Sequence, residues 1–167
     1  MNEHRTPRAV GHREDFYAWT QHQATLLRTL GKYASNLPKE LDLENLAEEV
    51  DGLGAADLNS VKSYIRQIMI HLIKATSGPK SRAVGHWRSE ASSFNSELLD
   101  RYTPSMHQLI ELQALWRRAL RDAKFQLQEH NATVAAALPA DCPYSVADFT
   151  SEDFSFDDLR ARLLKVG

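Results

Sequence analysis

The chain has 167 residues, of which 43% are hydrophobic and 25% charged, values typical of a soluble globular domain with one hydrophobic core. Its 20 Lys and Arg residues nearly balance its 22 Asp and Glu residues, so the net charge of −2 argues against a polybasic surface that coats nucleic acid or a membrane. The single cysteine, Cys142, excludes an intrachain disulfide and is typical of a reducing compartment.

Residues 1–13 contain Pro7 and Gly11 among basic and His side chains without apolar periodicity, and we predict a mobile N-terminal tail. This segment lacks the apolar core of a secretory signal. The longest aliphatic run, 68–73, is far shorter than the roughly 20 residues of a membrane-spanning helix. The sequence therefore predicts a cytoplasmic protein that does not cross a membrane.

The first predicted helix begins at Asp15, a candidate N-cap, and ends at Gly31. Its apolar residues recur at helical spacing: Phe16, Trp19, Leu26, Leu27 and Leu30. Gln23 lies within this stripe, where a buried amide needs hydrogen-bond partners. It either ties two helices together or lines a pocket, and we favour the tie.

Residues 42–54, DLENLAEEVDGLG, concentrate carboxylates and raise the question of a metal or acid–base site. Helical spacing separates two faces, an apolar one of Leu43, Leu46, Val50 and Leu53, and an acidic one of Glu44, Glu48 and Asp51. Asp42 is placed to cap the helix, and acids in its first turns suit the positive end of the helix dipole. We therefore interpret the acids as a solvated face. Gly52 and Gly54 are expected to break or bend the chain.

Three further helices are predicted. One has apolar residues Leu58, Val61, Ile65, Ile68, Met69, Leu72 and Ile73 and ends at 77–79. The next has Val84, Trp87, Ala91, Phe94, Leu98 and Tyr102. Thr103 and Pro104 are typical of an N-cap followed by the first helical position, and are expected to open the longest helix, with Leu109, Leu112, Trp116, Leu120, Ala123 and Leu127 on one face.

The segment 139–167 differs in character, with aromatic anchors at Tyr144, Phe149, Phe154 and Phe156. Ser145 and Ser151 are predicted to cap single turns. Ser155 is predicted to begin a short terminal helix with Phe156, Leu159, Leu163 and Val166 on one face.

No alternating strand pattern occurs in the sequence, so we predict an all-α fold. The expected architecture is an up-and-down helical bundle of four to five main helices, with an irregular C-terminal segment and a short terminal helix. The predicted organisation is a tail at 1–13, the bundle at 14–138, and a C-terminal segment at 139–167 that packs on the bundle.

Several segments carry a family resemblance in combination: DFYAW at 15–19 with Gln23 and LLR at 26–28, LDLENLAEEVDGLG at 41–54, HLIK at 71–74, HWR at 86–88, and LPADCPYSVADF at 138–149. Over roughly residues 14–156 the chain resembles the bacterial family called domain of unknown function 29. The resemblance implies an all-helical intracellular bacterial protein and supplies no activity and no catalytic residue.

The chain departs from that family at two places. Ala75 and Thr76 follow HLIK, where an aromatic residue is common, and arginine-rich positions after the Trp-Arg pair are replaced by Ser89, Ser92, Ser93 and Asn95. If those arginines bind an anion in relatives, this chain lacks that contact. The terminal helix from Ser155 extends past the resemblance.

The sequence contains no established catalytic or metal-binding motif. Glu-x-x-His and His-x-x-x-His spacings are absent, Cys142 has no second cysteine for a zinc site, and no nucleophile elbow or phosphate-binding glycine loop occurs. We predict no metal, no cofactor and no catalytic residue, and lean away from an enzyme. An inter-helix Glu–His site, with Gln23, Glu48 and His71 lining a pocket, is a minority hypothesis.

A basic connection at 74–88 is a second candidate site. Lys74, Lys80, Arg82 and Arg88 cluster there with His71, His86 and Trp87 nearby in sequence, and backbone N–H groups at the start of a helix favour anions. A solvated basic turn with Trp87 in the core is the favoured interpretation. The competing hypothesis is a weak nucleic-acid, nucleotide or anion binder.

The leading functional hypothesis is a non-enzymatic protein-interaction module. It would bind an unknown protein partner or self-associate through a bundle face or through the terminal helix, because the sequence offers several amphipathic helices and no catalytic constellation. No membrane partner is expected.

Overall fold

The protein folds into helices. Its structure, a computed structural model, describes residues 11–34, 36–78, 80–136 and 138–165. The helices are α1 (Phe16–Tyr33), α2 (Leu43–Ser77), α3 (Val84–Leu99), a 3-10 helix (Pro104–Leu109), α4 (Leu112–Glu129), α5 (Ala147–Thr150) and α6 (Phe156–Lys165). No strand occurs in these ranges. The prediction of an all-α helical bundle is confirmed. Residues 1–10 of the predicted tail, and Val166 of the terminal helix, lie outside the described residues.

The chain divides into two units. Unit 1 contains the described residues up to Asn59 together with Thr103–Met106, and unit 2 contains Ser60–Tyr102 and the described residues from His107 onward.

Both helices of unit 1 begin at the caps that the sequence predicts. Asp15 Oδ1 accepts a hydrogen bond from the Ala18 N–H at 2.9 Å, and Asp42 Oδ1 accepts one from the Asn45 N–H at 3.1 Å. Asp15 also binds Ser105, whose N–H and hydroxyl donate to its two carboxylate oxygens at 2.8 and 2.7 Å. Asp15 therefore caps α1 and anchors the segment around Ser105.

The expected break at Gly52 and Gly54 is wrong, because α2 runs without interruption over 35 residues. A glycine inside a helix costs only about 1 kcal/mol relative to alanine, which packing readily offsets. Gly54 is buried, and a Cβ atom there would overlap the hydroxyl of Thr20 and lie 3.3 Å from the Tyr17 ring. The glycine thus allows α1 to pack closely against α2.

The apolar faces predicted for α1 and for the first part of α2 are only partly buried, and Leu43 of the predicted face lies next to Gly31 of α1. The buried residues that these helices contribute to unit 1 are mostly small, namely Thr20, Ala24, Ala47 and Gly54, together with the larger Leu58. Exposed large apolar residues are Leu26 (47%), Leu30 (43%), Leu46 (43%) and Leu53 (55%). Small side chains let two helix backbones approach, so the leucines remain on the surface of unit 1.

The acidic residues of α2 lie where the sequence predicts. Glu44, Glu48 and Glu49 are exposed. Arg28 of α1 contacts Glu44 at 3.2 Å and Asp51 at 2.8 Å. These acids therefore form a solvated face, part of which fixes α1 to α2.

Unit 2 contains a conventional core. Its buried apolar residues come from α2 (Val61, Ile65, Ile68, Met69, Ile70, Leu72, Ile73 and Ala75), α3 (Ala91 and Leu98), the link before α4 (Ile110), α4 (Leu115, Trp116, Ala119, Ala123 and Leu127) and the C-terminal segment (Tyr144, Val146, Phe149, Phe156, Leu159 and Leu163). The predicted apolar stripe of the second half of α2 is therefore the stripe that is buried.

The helix predicted to open at Thr103 and Pro104 is divided in two. The first part is the six-residue 3-10 helix, and α4 begins at Leu112. The longest helix of the described chain is α2, so the expectation that the longest helix begins at Pro104 is wrong.

Side-chain hydrogen bonds anchor the C-terminal segment within unit 2. Asn95 of α3 donates to the Phe149 carbonyl at 2.6 Å, and the Tyr144 hydroxyl donates to the Leu159 carbonyl at 3.1 Å. Ser155 Oγ accepts from the Asp158 N–H at 3.3 Å, as its predicted capping role requires. As a result, α6 packs its apolar face into unit 2.

Candidate functional site

Lys74 lies in the last turn of α2 and is the member of the predicted basic cluster that lines a cavity. Its Nζ atom lies 4.9 Å from the centroid of the Trp87 ring and donates to Gln126 Oε1 at 3.1 Å. In the described part of the chain no carboxylate lies within ion-pair distance of this ammonium. Burial lowers the pKa of Lys74, an effect that the negative charge of Glu90 partly offsets.

The cavity has a volume of about 380 Å³. Four segments form its walls, namely the end of α2, the loop that follows, the first turn of α3 and the end of α4; the lining residues are Lys74, Gly78, Ser81, Ala83, Trp87, Leu127, His130 and Ala132. The wall after α4 depends on Asn131, which has φ 54°, a left-handed conformation that asparagine tolerates. This turn brings the Ala132 N–H to the Leu127 carbonyl at 2.9 Å.

The other three predicted anion-binding residues do not line this cavity. Lys80 and Arg82 are exposed on the loop. Arg88 contacts Asp157 of α6 at 2.9 Å, so its guanidinium is engaged in an ion pair. Trp87, which the favoured interpretation assigned to the core, is only half-buried. The anion site stays a prediction; sequence reasoning did not include Ser81 and His130, which the fold places beside Lys74 and Trp87.

His71 forms a second cluster in unit 2. Its side chain is 8% exposed, and its ring stacks on Phe94 with 5.9 Å between the centroids. His71 Nε2 lies 3.4 Å from Glu90 Oε2, and His86 Nε2 lies 3.3 Å from the same oxygen. Burial lowers the pKa of His71 to about 4, although the Glu90 charge opposes this effect. His71 is therefore neutral at neutral pH.

The predicted combination of Gln23, Glu48 and His71 draws on both units. Gln23 is half-buried and lines an apolar groove on unit 1, Glu48 is exposed on α2, and His71 belongs to unit 2. A pocket that contains all three stays a prediction. The sequence did not indicate that Glu90 is the partner of His71. The sequence feature that could have pointed to Glu90 is its four-residue spacing from His86, which places Glu90 and His86 on one face of α3.

Metal binding and thiol reactivity both depend on His, Cys, Asp and Glu side chains in the described ranges. No group of three His, Cys, Asp or Glu side chains there is arranged to hold a metal ion. Burial raises the pKa of the Cys142 thiol, which disfavours the reactive thiolate. The Cys142 N–H donates to Gln113 Oε1 at 2.8 Å, so this residue serves to hold the C-terminal segment on α4.

Unit 1 has more exposed large apolar side chains than unit 2 in the described part of the chain. Of the nine large apolar residues exposed in the described part of the chain, six belong to unit 1: Leu26, Leu30, Tyr33, Leu41, Leu46 and Leu53. We call these six residues the apolar surface of unit 1. On α1 they border a groove of about 490 Å³ lined by Gln23, Leu26, Leu27, Thr29, Leu30 and Tyr33. Tyr33 is 84% exposed.

A bilayer-spanning helix is absent from the described ranges, since none of the helices combines sufficient length with sufficient hydropathy.

Comparisons with known proteins identify a family and a solved structure of similar fold. No curated protein matches the chain. The chain is similar to an α-helical protein of unknown function from Rhodospirillum rubrum, known from a crystal structure, with 38% sequence identity and a TM-score of 0.89. The similarity covers 92% of this chain and 97% of the other. The model of the family described as domain of unknown function DUF29 matches residues 12–155, and the chain therefore belongs to that family.

Proposed function

We propose that the protein is a non-enzymatic interaction module that self-associates through the apolar surface of unit 1. The observation that carries this proposal is that α1 and the first part of α2 bury mostly small residues and leave Leu26, Leu30, Leu46 and Leu53 exposed. Large exposed apolar patches on soluble proteins mark interaction sites, because burying them in a complex removes apolar area from water.

The charges of unit 1 favour a second copy of the chain as the partner. The charged residues of α1 are Arg28 and Lys32, both basic. The charged residues of α2 up to Asp51 are all acidic. Arg28 is paired within the unit, but in the described part of the chain Lys32, Glu48 and Glu49 have no ion-pair partner. A two-fold axis that brings α1 of one copy to α2 of the other would place a helix with only basic charges beside a helix segment with only acidic charges, as a self-complementary interface requires.

The terminal helix is the weaker candidate for self-association. Its apolar residues Phe156, Leu159 and Leu163 are buried within unit 2, and Arg162 contacts Asp148 as a bidentate ion pair. Separating α6 from unit 2 would expose this apolar face, which costs free energy. A bundle face is therefore the favoured of the two surfaces.

The test is the mass in solution, measured by light scattering over a range of protein concentrations. We expect twice the 18.9 kDa of one chain, and we expect Leu26→Glu and Leu30→Glu to restore the mass of one chain. Phe125→Glu is the matched control, because Phe125 is 65% exposed but belongs to unit 2. It should leave the mass unchanged.

Charge reversal tests the two-fold arrangement. Lys32→Glu should weaken self-association, and Glu49→Lys in the same chain should restore it, since a symmetric interface would regain opposite charges. A chain that stays monomeric at its highest attainable concentration would contradict the proposal, even if another protein binds the surface.

A cytoplasmic location is part of the proposal. The support is the chemistry of Cys142, a free and half-buried thiol without a partner cysteine in the chain.

A further inference from the structure

We infer that the cavity at the end of α2, which Lys74 and Trp87 line, binds a small organic anion with a flat ring, of the chemical class of a nucleoside monophosphate. This site is separate from the apolar surface of unit 1 and does not depend on the proposed self-association.

The charge of the cavity favours an anion. The Lys74 ammonium is half-buried, and its close contacts are the neutral Gln126 amide and the face of the Trp87 ring. A cation that is taken partly out of water without a carboxylate beside it is incompletely compensated. An anionic group bound at Lys74 would supply that compensation through a charge-assisted hydrogen bond.

The polar groups beside Lys74 suit the oxygens of a phosphate. Ser81 Oγ accepts a hydrogen bond from the Ala83 N–H at 3.2 Å, which leaves the hydroxyl hydrogen to donate to a ligand. His130 lines the same cavity and offers a ring nitrogen as donor or acceptor. A single lysine beside a serine and a histidine matches a ligand with one phosphate better than a highly charged ligand.

The remaining walls suit a flat, largely apolar ring. Ala83, Leu127 and Ala132 contribute apolar surface, and Trp87 contributes an aromatic ring. Aromatic side chains bind nucleobases because every base presents a π-face. The volume of about 380 Å³ falls at the small end of the range for ligand pockets, which fits one nucleotide and excludes a long strand.

The experiment is calorimetric titration of the full chain at low salt with adenosine 5′-monophosphate, adenosine and inorganic phosphate. We expect the nucleotide to bind. We expect adenosine and phosphate each to bind at least about ten-fold more weakly, because each engages only one part of the cavity. Phosphate that binds as tightly as the nucleotide would overturn the role of the ring. Adenosine that binds as tightly would overturn the role of the anion.

Matched variants separate the cavity from the basic loop. Lys74→Met keeps the length of the side chain and removes its charge, and should weaken nucleotide binding about ten-fold or more. Replacing both exposed loop cations, Lys80→Met with Arg82→Met, should leave the affinity within about two-fold, because neither lines the cavity. The opposite result, with loss in the loop variant and retention in Lys74→Met, would overturn the site.

A measurement on the unaltered chain removes dependence on the folding of the variants. The indole N–H signals of the three tryptophans can be followed by nuclear magnetic resonance during the nucleotide titration. The Trp87 signal should shift, whereas those of Trp19 and Trp116, which do not line the cavity, should remain. The absence of any shift at low salt would refute the inference.

Discussion

Gly54 lies where α1 packs against α2, and it is the residue of unit 1 with the least room for a side chain among the described glycines. Thr20, its neighbour across the contact, is fully buried and donates its hydroxyl to the Tyr17 carbonyl at 2.8 Å. We expect Gly54→Ala to lower the free energy of unfolding by about 1–3 kcal/mol, because overpacking forces the two helices apart. Urea unfolding measures the change.

Gly52 provides the control two residues away in the same helix. A Cβ atom there would meet nothing within 4 Å. Gly52→Ala should raise the free energy of unfolding by about 0.5–1 kcal/mol, because alanine loses less backbone entropy in a helix than glycine. Equal effects of the two substitutions would contradict the close approach of α1 and α2.

His71 should make stability depend on pH. Its pKa is about 4 in the folded chain and about 6.5 when unfolded, so the unfolded state binds more protons between these values. The free energy of unfolding should therefore fall by up to about 3 kcal/mol as the pH drops from 6.5 towards 4. Above pH 6.5 the stabilising contribution of His71 is fully present. Urea unfolding at a series of pH values measures the slope.

Two variants identify the group responsible for that slope. His71→Gln removes the buried imidazole and should flatten the dependence between pH 4 and 6.5. His86→Gln should retain it, because His86 is 69% exposed even though it lies near the same Glu90 oxygen. A slope that survives in His71→Gln would assign the effect to another group.

At the residue scale, the sequence predicted the caps at Asp15, Asp42 and Ser155 but neither the partner of His71 nor the role of Ser145, which donates to Asp148 and caps no helix. Asp15, Asp42 and Ser155 bind N–H groups three residues away, so the evidence for each cap is local. Glu90 is distant from His71 along the chain, and only the packing of α3 on α2 brings the two side chains together.

At the scale of the elements, the helical periodicity predicted most of the helices. It was wrong at two places, since it predicted a break that α2 does not have and one continuous helix where a 3-10 helix and α4 are separate. The glycines at 52 and 54 did not end α2, because a helix tolerates glycine when packing favours it. The residues after Thr103 formed a short 3-10 helix whose Ser105 binds the distant Asp15. Neither outcome depends on local propensity alone.

The terminal helix α6 gives a prediction with an adjacent control. Leu163 is 2% exposed and Leu164 is 54% exposed. Leu163→Ala should lower the free energy of unfolding by about 2–4 kcal/mol, because it leaves a cavity in unit 2. Chemical denaturation followed by circular dichroism measures the loss.

Leu164→Ala should change the free energy of unfolding by less than about 0.5 kcal/mol, because its side chain is largely in water already. Similar losses for both leucines would mean that α6 does not bury the face described here.

At the scale of the whole molecule, self-association would link stability to concentration. If two copies bind through the apolar surface of unit 1, mass action stabilises the folded dimer, and the melting temperature should rise by several degrees over about a hundred-fold range of protein concentration. Differential scanning calorimetry at graded concentrations measures this rise.

Leu30→Glu should remove the concentration dependence, and Phe125→Glu should keep it. A melting temperature that is independent of concentration in the unaltered chain would argue against a dimer, whereas equal effects of the two variants would place the interface elsewhere.

The sequence by itself determined the all-α class, the caps at Asp15, Asp42 and Ser155, the solvated acidic face and the buried stripe of the second half of α2. The physical basis is local, since these features depend on hydrogen bonds and side-chain periodicity within a helix. Only the tertiary structure decided that unit 1 buries Thr20 and Gly54 while Leu26 and Leu53 face water. It also decided that His71 meets Glu90 and that Lys74 shares a cavity with His130. The physical reason is that periodicity shows which residues share a face, whereas the packing of neighbouring helices decides which face is buried.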